Sequence, residues 1–180
     1  MDWMVYLLSL SISGVKNIEK EIKIEFAGKS VNSRFNPEKN RVKCIFGENG
    51  TGKTAIVTAV DIVRSYILNS NYLRDSKNQL LLKELISKST REFVFKCEFI
   101  TNIELLLIYE YEVRFSIDNN DEVYISYESM SYKRNSNRNK QVTLFVCENG
   151  ELVYWGADVE NQRLLKDITK NLLRYQSALF

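Results

Sequence analysis

Between residues 92 and 155 apolar and polar side chains alternate with a period of two, and this limits the fold more than any other feature of the chain. Phe93, Phe95, Cys97 and Phe99 share one side, and Tyr109, Tyr111, Val113 and Phe115 share another, opposite Glu110, Glu112 and Arg114. Val123, Ile125 and Tyr127 continue the alternation after a polar turn at 118–121. Successive strand residues point to opposite faces, so the block reads as an antiparallel sheet with one dry face and one wet face. Asn149-Gly150, flanked by apolar runs at 142–147 and 152–155, is a strong signal for a tight hairpin. The N-terminal region has the same character. Leu8, Leu10 and Ile12 alternate with serines, Ile22, Ile24 and Phe26 alternate with charges, and Gly14-Val15-Lys16-Asn17 lies between, so residues 4–27 read as an antiparallel hairpin.

Helical spacing is rarer. Ile56, Val60, Val63 and Ile67 recur at 4-3-4 intervals, with Ala59, Ile62 and Tyr66 beside them, which predicts a helix with a wide and largely buried apolar face. Residues 69–79 break the pattern, and a short helix is expected around 80–87. From Val159 onward Leu165, Ile168, Leu172, Tyr175 and Leu179 predict a helix that runs to the end of the chain. Residues 28–41, with Gly28, Ser30, Asn32, Ser33, Asn36, Pro37 and Asn40, and residues 133–140 (KRNSNRNK), with no apolar residue, read as loops.

Composition removes several kinds of chemistry. There is no histidine, which excludes Ser-His-Asp and Cys-His catalysis, HExxH zinc sites and imidazole switches. The 25 Lys and Arg against 23 Asp and Glu leave a net charge of +2, so the overall balance does not point to nucleic acid or to an anionic membrane. Cys44, Cys97 and Cys147 lie far apart, each in an apolar run and without a CxxC pair. They read as buried, reduced core residues of a cytoplasmic protein. The apolar run at 3–8 is short, follows an acidic residue and gives way to alternating serines, which fits neither a signal peptide nor a membrane span.

Residues 47–54 read Gly47-Glu48-Asn49-Gly50-Thr51-Gly52-Lys53-Thr54, the GxxxxGK[ST] pattern of a phosphate-binding loop, the Walker A P-loop. An apolar run, VKCIF at 42–46, precedes it and reads as a buried strand; a helix follows from Lys53. The residue types suit the task. Glycines allow backbone N–H groups to wrap a phosphate at close range, and the helix N-terminus adds unpaired N–H groups and partial positive charge. Lys53 brings a full charge to the β- and γ-phosphates, and the Thr54 hydroxyl is a ligand for Mg²⁺. Two partial matches carry less. Leu10-Ser11-Ile12-Ser13-Gly14 resembles an ABC signature but lies ahead of the loop in strand-like sequence. Glu110 and Glu148 each follow an apolar run, as a Walker B acid does, yet no Asp stands at the metal position and no second acid is adjacent, so both read as wet-face or turn residues.

Taken together, LSISGVKNIEKEIKIEF, a loop, VKCIFGENGTGKTAIVTAVDIV and a β-rich stretch resemble the N-terminal nucleotide-binding lobe of RecF/SMC-like ABC ATPases, nearest the bacterial "AAA family ATPase" group of OLD-type and abortive-infection proteins. The resemblance covers residues 4–68 by motif and 92–155 by architecture. It implies an α/β P-loop lobe, with a mixed sheet, an antiparallel β-arm and two main helices. The expected layout is a core over 1–90, the arm over 91–156 and a C-terminal helix over 158–180. It implies ATP and Mg²⁺ as ligands, held by residues 47–54, and adds Lys16, Asn17 and Ala55 as nucleotide contacts. The Walker B pair, signature, glutamine loop and switch histidine of that family are not recognisable in this chain. Hydrolysis is therefore expected to need elements outside it, in a missing C-terminal ATPase lobe; the chain is expected to be the first lobe of a longer protein and to self-associate without that partner. Two alternatives stand beside this reading. One is a non-catalytic interaction module that binds nucleic acid through Lys133, Arg134, Arg138 and Lys140. The other is a P-loop small-molecule kinase. A GTPase is excluded because NKxD and DxxG do not occur.

Overall fold

A computed structural model describes residues 5–27, 42–100, 107–134, 140–156 and 173–179. In chain order the elements are β1 (Tyr6–Ser13), β2 (Ile22–Glu25), α1 (Lys53–Leu68), a 3₁₀ turn (Tyr72–Arg74), α2 (Ser76–Leu85), β3 (Glu92–Ile100), β4 (Leu107–Ile117), β5 (Val123–Arg134), β6 (Val142–Glu148) and β7 (Glu151–Trp155). The strands form one sheet in the order β2-β1-β3-β4-β5-β6-β7, and every pairing is antiparallel. The alternating runs are therefore strands, and Asn149 and Gly150 turn between β6 and β7 with φ of 50° and 83°, the left-handed values a two-residue hairpin requires.

The mixed sheet of an α/β P-loop lobe is not what forms. Residues 42–46, expected as its buried central strand, join no strand, and Val42 and Phe46 are 81% and 90% exposed. With that run outside the sheet there is no parallel pair for α1 to cross between, and the single antiparallel sheet takes its place. Cys44 goes with the run and is exposed, contrary to expectation. Cys97 and Cys147 do lie in the sheet, the first half-buried and the second buried, and desolvation pushes each thiol up to about 12.

One face of the sheet is dry. Leu10 and Ile12 of β1, Phe93 and Phe95 of β3, Tyr111, Val113 and Phe115 of β4, Val123 and Ile125 of β5 and Phe145 of β6 form a continuous core with Ala55, Ile56, Ala59, Ile62, Val63 and Tyr66 of α1. Phe115 sits between the stacked ring of Phe93 at 5.3 Å and the edge-on ring of Tyr66 at 5.2 Å. Fully burying each large side chain contributes about 1.5–3 kcal/mol, which is what holds α1 to the sheet. The second helix starts earlier than its apolar pattern suggests because Asp75 caps it: its Oδ1 accepts from the N–H groups of Lys77 at 2.8 Å and Asn78 at 3.2 Å. Gln79 of α2 then pairs with Val123 of β5 as a strand residue would, accepting from Val123 N–H at 2.8 Å and donating to its carbonyl at 2.8 Å.

The other face is polar and carries its own counter-charges. Glu112 takes Arg114 at 2.6 Å and Lys96 at 3.2 Å, while Glu98 takes Lys133 at 3.3 Å and the Ser9 hydroxyl at 2.8 Å. The predicted C-terminal helix lies mostly outside the described residues, and its last part, 173–179, forms turns. Those turns lie against the sheet: Ile125 N–H donates to the Arg174 carbonyl at 2.8 Å, and the Arg174 guanidinium reaches Asp118 at 2.7 Å. No helix among the described residues is long and apolar enough to cross a membrane.

Candidate functional site

Residues 47–54 form a loop that delivers the chain into α1. Asn49 and Gly50 turn the backbone, and the N–H and hydroxyl of Thr51 both point back to the Glu48 carbonyl, at 3.4 and 2.9 Å. Gly50 and Gly52 have φ of 86° and 96°, where a side chain is strained. No side chain caps α1 and no acid lies in its first turn. Its first helical bond runs from Ile56 N–H to the Gly52 carbonyl at 3.1 Å. The N–H groups of Lys53, Thr54 and Ala55 consequently have no acceptor among the described residues. The other helix differs, because Asp75 satisfies its leading amides. Among the described residues only α1 presents an open N-terminus.

Lys53 folds over this loop. Its ammonium donates to the carbonyls of Gly47 and Glu48, each at 2.6 Å. The lysine thus stands at the loop mouth and keeps a third N–H for a further acceptor. Thr54 is exposed at the same end; its carbonyl accepts from the Thr58 hydroxyl at 2.8 Å, and its own hydroxyl has no partner among the described residues. The methyl group of Ala55 is buried in the core, leaving only its amide to face a ligand.

The turn between β1 and β2 abuts the loop through Asn17 and Ile18. Asn17 Nδ2 donates to the Gly50 carbonyl. Ile18 packs on Gly52, where an added Cβ would lie 3.0 Å from Ile18 Cγ1. Lys16 has a left-handed backbone at φ 52°, bonds its N–H to the Leu85 carbonyl at 2.7 Å and exposes its side chain. On the other side, residues 43–46 face Lys23, Ile24 and Glu25 of β2 across a groove of about 490 Å³ instead of pairing with them.

The remaining candidates scatter. Glu110 is on the polar face, where Gln141 donates to it at 3.3 Å, and Glu148 is exposed at the end of β6; neither is on the α1 side of the sheet. Lys133 is engaged by Glu98, Arg134 ends β5, Lys140 is exposed, and Arg138 lies outside the described residues. Among the described residues no group of three or more His, Cys, Asp or Glu side chains is placed to hold a metal.

Glu128 is a site that sequence reasoning missed. Its side chain is fully buried on β5, on the dry side of the sheet. The carboxylate accepts from Tyr111 Oη at 2.7 Å, Ser177 Oγ at 2.5 Å and Ala178 N–H at 2.8 Å, with Tyr66 Oη more distant at 3.5 Å. Burial raises its pKa, and the three close donors oppose that rise. Burial also raises both tyrosines well above their ordinary values, so each keeps its proton and serves as a donor. The carboxylate joins α1, β4, β5 and the C-terminal turns.

Comparison of the chain with protein-family models, with curated proteins and with solved structures returned no match.

Proposed function

We propose that this chain binds Mg²⁺-ATP through residues 47–54 and acts as the nucleotide-binding part of a RecF/SMC-like ATPase. The observation that carries the reading is the uncapped N-terminus of α1 with Lys53 folded over a glycine loop directly before it. Three amides without acceptors, the end of a helix dipole and one ammonium converge where a phosphate would sit. In this reading the amides of residues 50–55 wrap the β-phosphate, Lys53 neutralises the β- and γ-phosphates, and Thr54 places its hydroxyl on Mg²⁺. Nothing in the chain is assigned the task of orienting an attacking water, so hydrolysis is ascribed to groups outside it.

The reading also calls for a second lobe. Val42, Ile45 and Phe46 ahead of the loop, and Val57, Val60 and Leu68 on the outer side of α1, are all exposed. Such an apolar surface around a nucleotide site supports a partner that covers it.

Titration calorimetry with Mg²⁺-ATP tests the nucleotide reading. A charge-assisted hydrogen bond is worth about 1.5–3 kcal/mol, so Lys53→Ala should weaken ATP by at least about tenfold while the unliganded protein melts as before. Equal affinity of the two proteins, or no binding by the wild type, would reject it.

A further inference from the structure

A phosphate loop needs a fixed frame, and here the frame is not the strand that leads into it, since residues 42–48 join no strand. The β1–β2 turn supplies it instead. That turn is closed by bonds from Gly14 N–H to the Ile18 carbonyl at 2.7 Å and from Ile18 N–H to the Val15 carbonyl at 2.9 Å. It is pinned to the end of α2 through Lys16 N–H on Leu85 and Ser87 N–H on the Gly14 carbonyl, at 2.7 and 2.9 Å. Val15 is fully buried, and a Cβ on Gly14 would fall 1.8 Å from the Glu92 carbonyl, so the turn has nowhere to move.

From this fixed point Asn17 donates to the Gly50 carbonyl, and Ile18 seats Gly52. The Gly50 bond has a consequence for the loop interior. In a trans peptide the carbonyl and the following N–H point in opposite directions. Holding the Gly50 carbonyl toward the turn therefore turns the Thr51 N–H the other way, toward Glu48 and the inside of the loop, where it lies 3.4 Å from the Glu48 carbonyl. A Cβ built on Gly50 would meet nothing within 4 Å, so besides the long Thr51 N–H bond to Glu48 it is the Asn17 bond that opposes a flip of the Gly50–Thr51 peptide. A flipped peptide would aim a carbonyl at an incoming anion.

We propose that Asn17 is a positioning residue that keeps the Gly50 carbonyl out of the phosphate cradle, so that the cradle is formed before a polyphosphate arrives. The role rests on the phosphate-loop reading and assigns Asn17 to the loop, in place of the direct nucleotide contact expected from the sequence.

The test uses the full chain with Asn17→Ala, Asn17→Asp and Lys53→Ala, titrated with Mg²⁺-ATP and with inorganic tripolyphosphate. Asp keeps the shape of Asn but cannot donate when ionised. One neutral hydrogen bond corresponds to about three- to tenfold in affinity. Asn17→Ala should weaken both ligands by that factor alike, Asn17→Asp should weaken them further, and amide exchange at 50–52 should rise without ligand while exchange in β1 and β2 does not. Three results would overturn the proposal: wild-type affinity in Asn17→Ala, a loss for ATP with none for tripolyphosphate, or faster exchange throughout β1 and β2. The first marks Asn17 as a bystander, the second as a contact to the nucleoside, the third as a purely structural residue. Failure of the underlying reading looks different, because then the wild type binds neither ligand and Lys53→Ala changes nothing.

Discussion

Tyr111→Phe removes one oxygen from the surroundings of Glu128 and leaves the ring in its place. The deleted hydroxyl donates to the carboxylate at 2.7 Å in a site with no solvent access. A hydrogen bond to a charged acceptor contributes about 1.5–3 kcal/mol, and in a domain of this size each kcal/mol moves the melting temperature by roughly 2–4 °C. Above the raised Glu128 pKa, where the acceptor is ionised, the variant should therefore melt roughly 3–12 °C lower. Tyr66→Phe is the internal control: its hydroxyl stands at 3.5 Å, too far for a strong bond, so its loss should be well under half as large. The pH dependence follows from the direction of the Glu128 shift. Burial raises its folded pKa, so between the ordinary Glu value and the raised one the native state binds more protons than the unfolded state. This contribution to stability is full below the ordinary value and falls as pH rises through the window. Tyr111 favours the ionised form, so the penalty of Tyr111→Phe should shrink toward that of a neutral bond, about 1 kcal/mol, as pH falls below the raised value. Urea denaturation at several pH values reads both quantities. A penalty equal to that of Tyr66→Phe, or one that does not change with pH, would show that Glu128 is not an ionised acceptor held by Tyr111.

The two left-handed glycines of the loop should respond differently to alanine. Gly50 has free space around it, so Gly50→Ala should cost only the left-handed backbone, about 1 kcal/mol, whereas Gly52→Ala also meets Ile18 and should lower the melting temperature further; equal costs would argue against the contact with the turn. The exposed apolar residues around the loop should make the chain associate as its concentration rises, with Phe46→Ser and Val57→Ser dispersing it. Light scattering that finds a strict monomer at high concentration, together with no binding of an apolar dye, would refute that.

The parts of the fold legible in sequence are those set by local alternation. The faces of β3 and β4, the β6–β7 turn and most of the buried stripe of α1 follow from spacing, although Val60, expected in that stripe, is exposed, and the loop at 47–54 follows from residue type. Two features were not legible, each for a definite reason. The run at 42–46 is apolar enough for a central strand, but apolarity does not say whether a neighbouring strand exists, and here none is paired with it. Glu128 was hidden by a register shift: Arg114 pairs with Tyr127 and Phe115 with Ile125, so Ser126 is the extra residue of a bulge. Beyond it the alternation changes phase, Tyr127 leaves the dry face, and Glu128 enters it. No count of alternating residues locates a bulge, and the partners of Glu128 come from three segments distant in sequence.

The order of strands in the sheet bears on how the molecule assembles in time. From β3 to β7 each strand pairs with its successor in the chain, so this part can grow by successive hairpins. The first strand is different: Ser13 pairs with Val94, and the loop at 47–54, α1 and α2 lie in the chain between. Closing a loop of that length costs about 4 kcal/mol in chain entropy before any contact offsets it. The meander should accordingly form first, with β1 and β2 joining its β3 edge in a later and slower step. The β1–β2 turn that frames the loop at 47–54 arrives only with that step. Under the proposed nucleotide reading, a nascent or refolding chain would thus acquire its affinity for ATP last, after most of its hydrogen bonds, and pulse-labelled amide exchange would record protection in β4 and β5 before β1.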